Sequence, residues 1–325
     1  MVGSGSAGRR HLEALRRLLP TAQIAVVRRS ASIASGRGLE AASVTLPGLD
    51  ALIDWHPELA IVANPAPLHL ETALRLAQAG VHVLVEKPLA PSGAGVAELI
   101  HVCGDKAVVA MVGYNLRFGK LLGRLRAAIR AEAIGEPVLI TAEVGQHLSE
   151  WRPGTDYRDS VTANAELGGG VLLELSHELD YSTWLLGEVN HVYAVTRRTS
   201  GLEIDVEDLA LVTLEFDSGA VGSVQLDMLR PTFERKCRVI GTRGIVEADL
   251  VRGEARILKA GSSWQVLARS GIDERARMED AMLRHFLRCA RTGRRPLVTL
   301  EDGARVVGIV EAAREASRTG SRVRL

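Results

Sequence analysis

Four short apolar runs alternate with amphipathic helical stretches over the first 115 residues of this 325-residue chain, and that alternation constrains the fold more than any other feature. Gln23 to Val27, Glu58 to Ala63, Val81 to Val85 and Ala107 to Val112 are short, apolar and β-branched, as strands buried on both faces must be. Arg9 to Leu19, Leu68 to Ala79 and Gly93 to Val102 read as helices. Pro67 stands near the start of the second, and Gly80 closes it at the C′ position. A crossover helix packs back on the sheet face, so the alternation predicts a doubly wound parallel α/β sheet.

The pattern changes after Asn115. A helix from about Lys120 to Ala133 leads through Gly135-Glu136-Pro137 to a strand, Val138 to Gln146. A polar loop, Trp151 to Leu167, then runs into a helix that opens at Gly168-Gly169-Gly170. From His191 to Leu267 most segments read as strands, with Asp217-Ser218-Gly219 and Gly241-Thr242-Arg243-Gly244 as hairpin connections. Helices near Asp273 to Arg291 and Leu300 to Ser317 close the chain. The reading is a domain over 1–115 of the Rossmann type, then an α+β domain over 116–325 with a large, mainly antiparallel open sheet.

A formal net charge of +1 supplies no electrostatic footprint for nucleic acid or an anionic membrane. No apolar run approaches the roughly 18 to 20 residues of a membrane span, and the amino terminus shows no secretory h-region. Cys103, Cys237 and Cys289 are far apart and odd in number. That fits reduced thiols in a cytoplasm, with no disulfide framework and no metal site.

Two local patterns carry chemistry. Gly3-Ser4-Gly5-Ser6-Ala7-Gly8 is G-x-G-x-x-G ahead of a helix. The first glycine permits the tight turn, the second lets a pyrophosphate approach the backbone, and the third lets helix and strand pack closely. The phosphates would face the free N–H groups and dipole of a helix amino terminus. Only Met1 and Val2 precede the motif, whereas such a strand usually has about five residues, so the first strand is expected to be truncated. The next strand runs into Arg28-Arg29, where an acidic residue would hydrogen-bond the ribose of NAD; arginine suits a 2′-phosphate, which favours NADP over NAD. The second pattern is Glu86-Lys87-Pro88 at the carboxyl end of Val81 to Val85, where open α/β sheets bind ligands. The chain has five lysines against 35 arginines, so a lysine there is not expected from composition.

Asn64-Pro65, His69, Glu86-Lys87-Pro88, Asn115-x-Arg117-Phe118 and Gly168-Gly169-Gly170 with His177-x-x-Asp180 follow one another in this order. The ordered set resembles the glucose–fructose oxidoreductase, inositol dehydrogenase and rhizopine-catabolism (Gfo/Idh/MocA) family over nearly the whole chain. The resemblance implies an NAD(P)-dependent oxidoreductase acting on a secondary alcohol or ketone of a sugar, sugar nucleotide or cyclitol. It also implies a homodimer or homotetramer, with the open sheet packed face to face against a partner's. Lys87 and His177 are then the catalytic pair. Asn64, Pro65, His69, Glu86 and Asn115 join Gly3, Gly5, Gly8, Arg28 and Arg29 at the cofactor, and Arg117 joins Lys87 and His177 on the substrate side. Many members carry an aspartate four residues before the histidine; here that position is Leu173. Glu174, three residues before His177, shares its face if the segment is one helix, and becomes a candidate to orient the imidazole or bind a sugar hydroxyl. Asp180 is a candidate structural partner of His177.

The residue types suit that chemistry. Histidine titrates near neutrality and exchanges a proton in either direction. An ammonium stabilises negative charge developing on the oxygen. Arg152, Tyr157 and Arg158 in the polar loop offer forks for a carboxylate or phosphate, or face solvent. Two other functions remain open on the sequence: a glycosidase assisted by tightly held NAD, and a catalytically silent dinucleotide or sugar sensor.

Overall fold

The computed structural model describes residues 1–27, 40–199, 201–271 and 273–325. It divides into two compact units, Met1–Asn115 with Arg275–Val307, and Leu116–Glu274 with Gly308–Leu325. The sequence reading put the boundary after residue 115; the first compact unit also takes in Arg275–Val307. A helix pattern shows that a face must be buried but not what it is buried against.

In the first unit, α1 (Ser6–Leu18) precedes β1 (Ala25–Val27), β2 (Val44–Leu46), α2 (Leu49–Asp54) and β3 (Leu59–Val62). Then come α3 (His69–Gln78), β4 (His82–Val85), α4 (Val96–Asp105) and β5 (Ala110–Val112). Strands β3, β4 and β5 pair in parallel, as do β1 and β2. Val2 bridges both Val27 and Val62 in parallel, so the short stretch Met1–Val2 occupies the central strand position between the two groups. Val27 N–H donates to Met1 O and Ala63 N–H to Val2 O, each at 2.8 Å. The resulting order, β2–β1–(Met1–Val2)–β3–β4–β5, is the dinucleotide-binding order, with Met1–Val2 at the position of the first strand. Ala60, Ile61, Val62, Val83, Leu84, Val85, Met111 and Val112 are buried, which is why these strands read as unbroken apolar runs.

In the second unit α5 (Lys120–Arg130) leads to β6 (Pro137–Gly145), and short 3-10 turns carry the chain to α6 (Val171–Glu174) and α7 (His177–Leu186). Strands β7 (Val189–Arg197), β8 (Leu209–Phe216), β9 (Val221–Asp227), β10 (Glu234–Gly241), β11 (Gly244–Asp249), β12 (Glu254–Lys259) and β13 (Gln265–Arg269) follow. Helices α8 (Glu274–Thr292) and α9 (Leu300–Thr319) and strand β14 (Val323–Arg324) complete the chain. Among the described residues the large sheet has nine strands, ordered β13–β12–β11–β10–β6–β9–β8–β7–β14. All neighbours are antiparallel except β6 and β9, which are parallel. Strand β8 alternates strictly: Ala210, Val212, Leu214 and Phe216 are buried, while Leu211 is 45 % exposed. One face therefore takes α5 and α7, and among the described residues the other exposes Tyr193, Leu211 and Val221.

Candidate functional site

The glycine turn has the steric logic of a phosphate cradle. Gly3 has φ +100°, and a Cβ there would lie 2.4 Å from Ala63 O, so neither the conformation nor the space admits a side chain. A Cβ on Gly8 would lie 2.3 Å from Gly3 O, which closes helix onto turn. A Cβ on Gly5 would meet nothing within 4 Å, so the turn is open on that side. Gly5 is also the N-cap of α1, and no side chain caps the helix. Open space against uncapped N–H groups is what a dinucleotide pyrophosphate requires. Arg28 and Arg29, which would discriminate the 2′ position, lie outside the described residues.

Glu86-Lys87-Pro88 begins one residue past β4, at the carboxyl edge of the parallel sheet, and the Lys87–Pro88 peptide is cis. Glu86 is ionised and held on both oxygens. His11 of α1, fully buried, donates from Nε2 to Oε1 at 2.5 Å, and the Lys87 N–H donates to Oε2 at 3.1 Å. Burial alone would raise the Glu86 pKa; the His11 hydrogen bond and the charges of His11, Lys87 and Arg10 overcome it and hold it at about 2. His69 lies 2.8 Å through Nδ1 from Pro88 O and 2.8 Å through Nε2 from Asn64 O, so it joins the two loops through their backbones. Burial lowers its pKa, against the raising influence of those two carbonyls. Asn64 donates from Nδ2 to Thr72 Oγ1 at 2.9 Å. His69 is only 2 % exposed. Pro65 and Asn115 are half-buried, three residues past β3 and β5 respectively.

In the second unit Gly168-Gly169-Gly170 shapes the entry to the histidine segment. A Cβ on Gly169 would lie 2.5 Å from the carbonyl oxygens of Val161 and Thr162. Gly170 has φ +100°, and a Cβ there would meet Glu207 Oε1 at 2.6 Å. The chain then forms two helices in place of the single helix expected. Leu175, at φ −103° and ψ 26°, ends α6, and His177 is the first residue of α7. Glu174 and His177 thus lie on different helices, and spacing on one helix does not relate them. Glu174 accepts from Thr162 Oγ1 at 3.2 Å. His177 is half-buried, and Leu173 is a core residue at 1 % exposure.

The acids flanking His177 are committed to arginines. Asp180 takes the fork of Arg117, with Nε at 3.1 and 3.0 Å from its two oxygens and Nη2 at 2.7 Å from Oδ1. The two side chains are 0 % and 2 % exposed. Glu178, also fully buried, faces Arg235 Nε at 2.9 Å; burial raises its pKa and the guanidinium opposes the rise. Arg117 and Arg126 lie over the Trp184 ring at 5.8 and 4.3 Å. Asp180, the candidate structural partner of His177 in the sequence, holds the Arg117 fork. In the polar loop Arg152 is exposed, the Tyr157 hydroxyl accepts from Glu203 N–H at 3.2 Å, and Arg158 grips Asp156 and Glu203. Among the described residues no group of acidic, histidine and cysteine side chains is placed to hold a metal.

A family model for the NAD-binding Rossmann fold of an oxidoreductase family matches residues 1–114, and a model for the GFO/IDH/MocA C-terminal domain matches residues 122–247. The chain belongs to the Gfo/Idh/MocA family. Within it, the chain is 27 % identical to scyllo-inositol 2-dehydrogenase (NAD(+)) of Bacillus subtilis, over 100 % of this chain and 95 % of the relative. It is 27 % identical to D-xylose 1-dehydrogenase (NADP(+)) 2 of Haloferax volcanii, over 91 % of this chain and 89 % of the relative. Among solved structures, GenD2 from gentamicin A biosynthesis in complex with NAD superposes with a TM-score of 0.84 at 28 % identity, covering 100 % of this chain and 95 % of that one. The doubly wound parallel sheet followed by a large, mostly antiparallel one is the architecture of these Gfo/Idh/MocA structures.

Proposed function

We propose that this Gfo/Idh/MocA member interconverts a secondary alcohol and a ketone on a sugar, sugar nucleotide or cyclitol, with Lys87 and His177 as its catalytic side chains. As a family member the chain is a nicotinamide-dependent dehydrogenase of CH–OH groups. The observation that carries the residue assignment is the seat of Lys87. It is fixed at the carboxyl edge of the parallel sheet by an ionised Glu86 before it and a histidine-held proline after it.

The turn Gly3–Gly8 and the uncapped start of α1 hold the dinucleotide phosphates, which the open side of Gly5 admits. The nicotinamide supplies hydride transfer when bound. The Lys87 ammonium donates a hydrogen bond to the reacting oxygen and stabilises the negative charge that develops there. His177 takes the proton from that oxygen in oxidation and returns it in reduction. Glu174, braced by Thr162, binds a substrate hydroxyl. Arg117, buried and gripping Asp180, braces the start of α7 and so orients the histidine. Arg152 and Tyr157 serve an acidic group of the substrate where it carries one. Arg28 and Arg29 favour NADP, and the comparison of NADPH with NADH affinity in Arg28→Ala and Arg29→Ala tests that preference.

The deciding experiment follows nicotinamide absorbance over a panel that includes scyllo-inositol, myo-inositol and D-xylose. Lys87→Ala and His177→Ala each lose turnover, and a double-mutant cycle shows strong non-additivity because both act on one step. Full turnover in both variants refutes the mechanism.

The second unit leaves an apolar row on its open sheet face: Val221, Leu139, Ile240, Ile245 and Leu258 are cross-strand neighbours on five adjacent strands. A second copy covering that row gives the homodimer, or a homotetramer built from it, and light scattering of the wild type against Leu139→Glu tests it. All three thiols are free and buried, which suits a reducing compartment such as the cytoplasm. Among the described residues no helix is long and apolar enough to cross a membrane.

A further inference from the structure

The glycine turn and the lysine turn are joined by one hydrogen bond. Helix α1 begins at the glycine turn, and His11 lies in its second turn on the buried face with Gly8, Leu12 and Leu15. Its imidazole is 0 % exposed and reaches Glu86 Oε1 at 2.5 Å, while the other Glu86 oxygen holds the Lys87 N–H. Glu86 is seated closely: a Cβ on Gly113 would lie 3.2 Å from Oε2 and 3.3 Å from its Cα. The charged groups around the carboxylate are His11 and Arg10 from α1 and Lys87 beside it. His69, on α3, feels the charges of both Glu86 and Lys87 while its ring nitrogens lie on the Pro88 and Asn64 carbonyls. Arg10 is itself held by Glu279 of α8 at 3.3 Å. A charge-assisted bond between two enclosed side chains is short, directional and stiff, so a displacement of α1 is carried to residue 87.

We propose that His11 and Glu86 are a positioning pair, which ties the helix that receives the dinucleotide phosphates to the backbone of Lys87 and so fixes the ammonium for the reacting oxygen. The inference rests on the reading of Lys87 as a catalytic group, and it adds that the geometry of that lysine depends on a residue 76 positions earlier in the chain. A misplacement of about 1 Å at a reacting group costs roughly 10²-fold in rate, which sets the scale of the expected effect.

Two variants separate positioning from packing. His11→Phe keeps the ring and removes the donor, whereas His11→Gln offers a new one. In His11→Phe, kcat falls about 10²-fold while dinucleotide affinity, measured by nicotinamide fluorescence, stays at the wild-type value; His11→Gln recovers much of the loss. In the protein without dinucleotide, the rate at which an amine-reactive acylating reagent labels Lys87, mapped by peptide mass spectrometry, changes in His11→Phe and returns toward wild type in His11→Gln. If His11→Phe does not fold, Glu86→Gln, which keeps an acceptor for the Lys87 N–H but breaks the charged pair, carries the same measurements. Wild-type kcat and wild-type labelling in a folded variant overturn the proposal. So does a loss of thermal midpoint that leaves both readouts unmoved, because packing alone then explains His11. Should Lys87→Ala itself retain turnover, the assignment of Lys87 fails, and the labelling comparison still decides whether the pair positions it.

Discussion

Gly5 and Gly8 lie three residues apart in one turn, yet the structure assigns them opposite consequences on substitution. Gly5→Ala adds a methyl group where nothing lies within 4 Å, at a φ of −68° that alanine adopts freely. Two small effects then oppose each other: the less flexible unfolded chain contributes about 0.4–1 kcal/mol of stability, and the poorer N-cap costs about 0.5–1 kcal/mol. Net stability therefore changes by less than about 1 kcal/mol, a shift of no more than roughly 2–4 °C. The same methyl occupies the approach of the pyrophosphate. If it removes one hydrogen bond to that charged group, binding loses about 1.5–3 kcal/mol, or roughly 10- to 150-fold in Kd. In Gly8→Ala the added Cβ falls 2.3 Å from Gly3 O, so backbone must move and stability drops by about 1–3 kcal/mol. The assay pairs thermal unfolding without ligand with fluorescence titration of NADH and NADPH. Wild-type affinity in a stably folded Gly5→Ala protein refutes the seating of phosphate on this turn.

Asp180→Ala removes the carboxylate that holds two nitrogens of a buried guanidinium, and is expected to cost about 3–5 kcal/mol and to lower the thermal midpoint by roughly 10 °C. Arg117→Met with Asp180→Leu is expected to recover most of that loss; an unchanged midpoint in the single variant contradicts the pairing. Glu86, held at about 2 against an ordinary 4.5, contributes stability that is complete above about pH 4.5 and is lost as pH falls toward 2. The shift corresponds to about 3 kcal/mol, so the acid limb of stability against pH is shallower in Glu86→Gln by about that amount; parallel limbs refute the ionised Glu86. Gly170→Ala, forced against Glu207 Oε1 at 2.6 Å with φ +100°, is expected to lose activity through displacement of the His177 segment, with dinucleotide affinity unchanged.

The parallel strands were legible because burial on both faces makes a strand apolar from end to end, whatever its neighbours are. Strand β2 and helix α2 were not. Val44 and Thr45 are exposed, and a three-residue edge strand has no room for a period. The return of residues 275–307 to the first unit was also hidden. Gly303 shows how close the fit is there, since a Cβ on it would lie 2.9 Å from Val112 Cγ2 and 3.0 Å from Leu89 Cδ2. No local pattern encodes a contact between residues almost two hundred positions apart.

At the site, the sequence revealed what is decided locally and concealed what is decided by a distant partner. Gly3 and Gly8 were readable because each answers to a neighbour in the same turn or the adjoining strand, and Gly5 because it leaves the turn open. The Arg117 partner of Asp180 was not readable, because helix spacing is the only distance a sequence displays. A fully buried carboxylate needs a compensating charge, and the fork of Arg117 supplies it with three contacts. His11 left one signal that could have been used. G-x-G-x-x-G-x-x-H places a histidine three residues after the last glycine, on the helix face that must pack against the sheet, and a buried polar group there demands a partner. The carboxylate at the end of β4 meets that demand: the pattern that announces the phosphate turn also predicts a tie from it to the lysine turn, which only the fold identifies as Glu86.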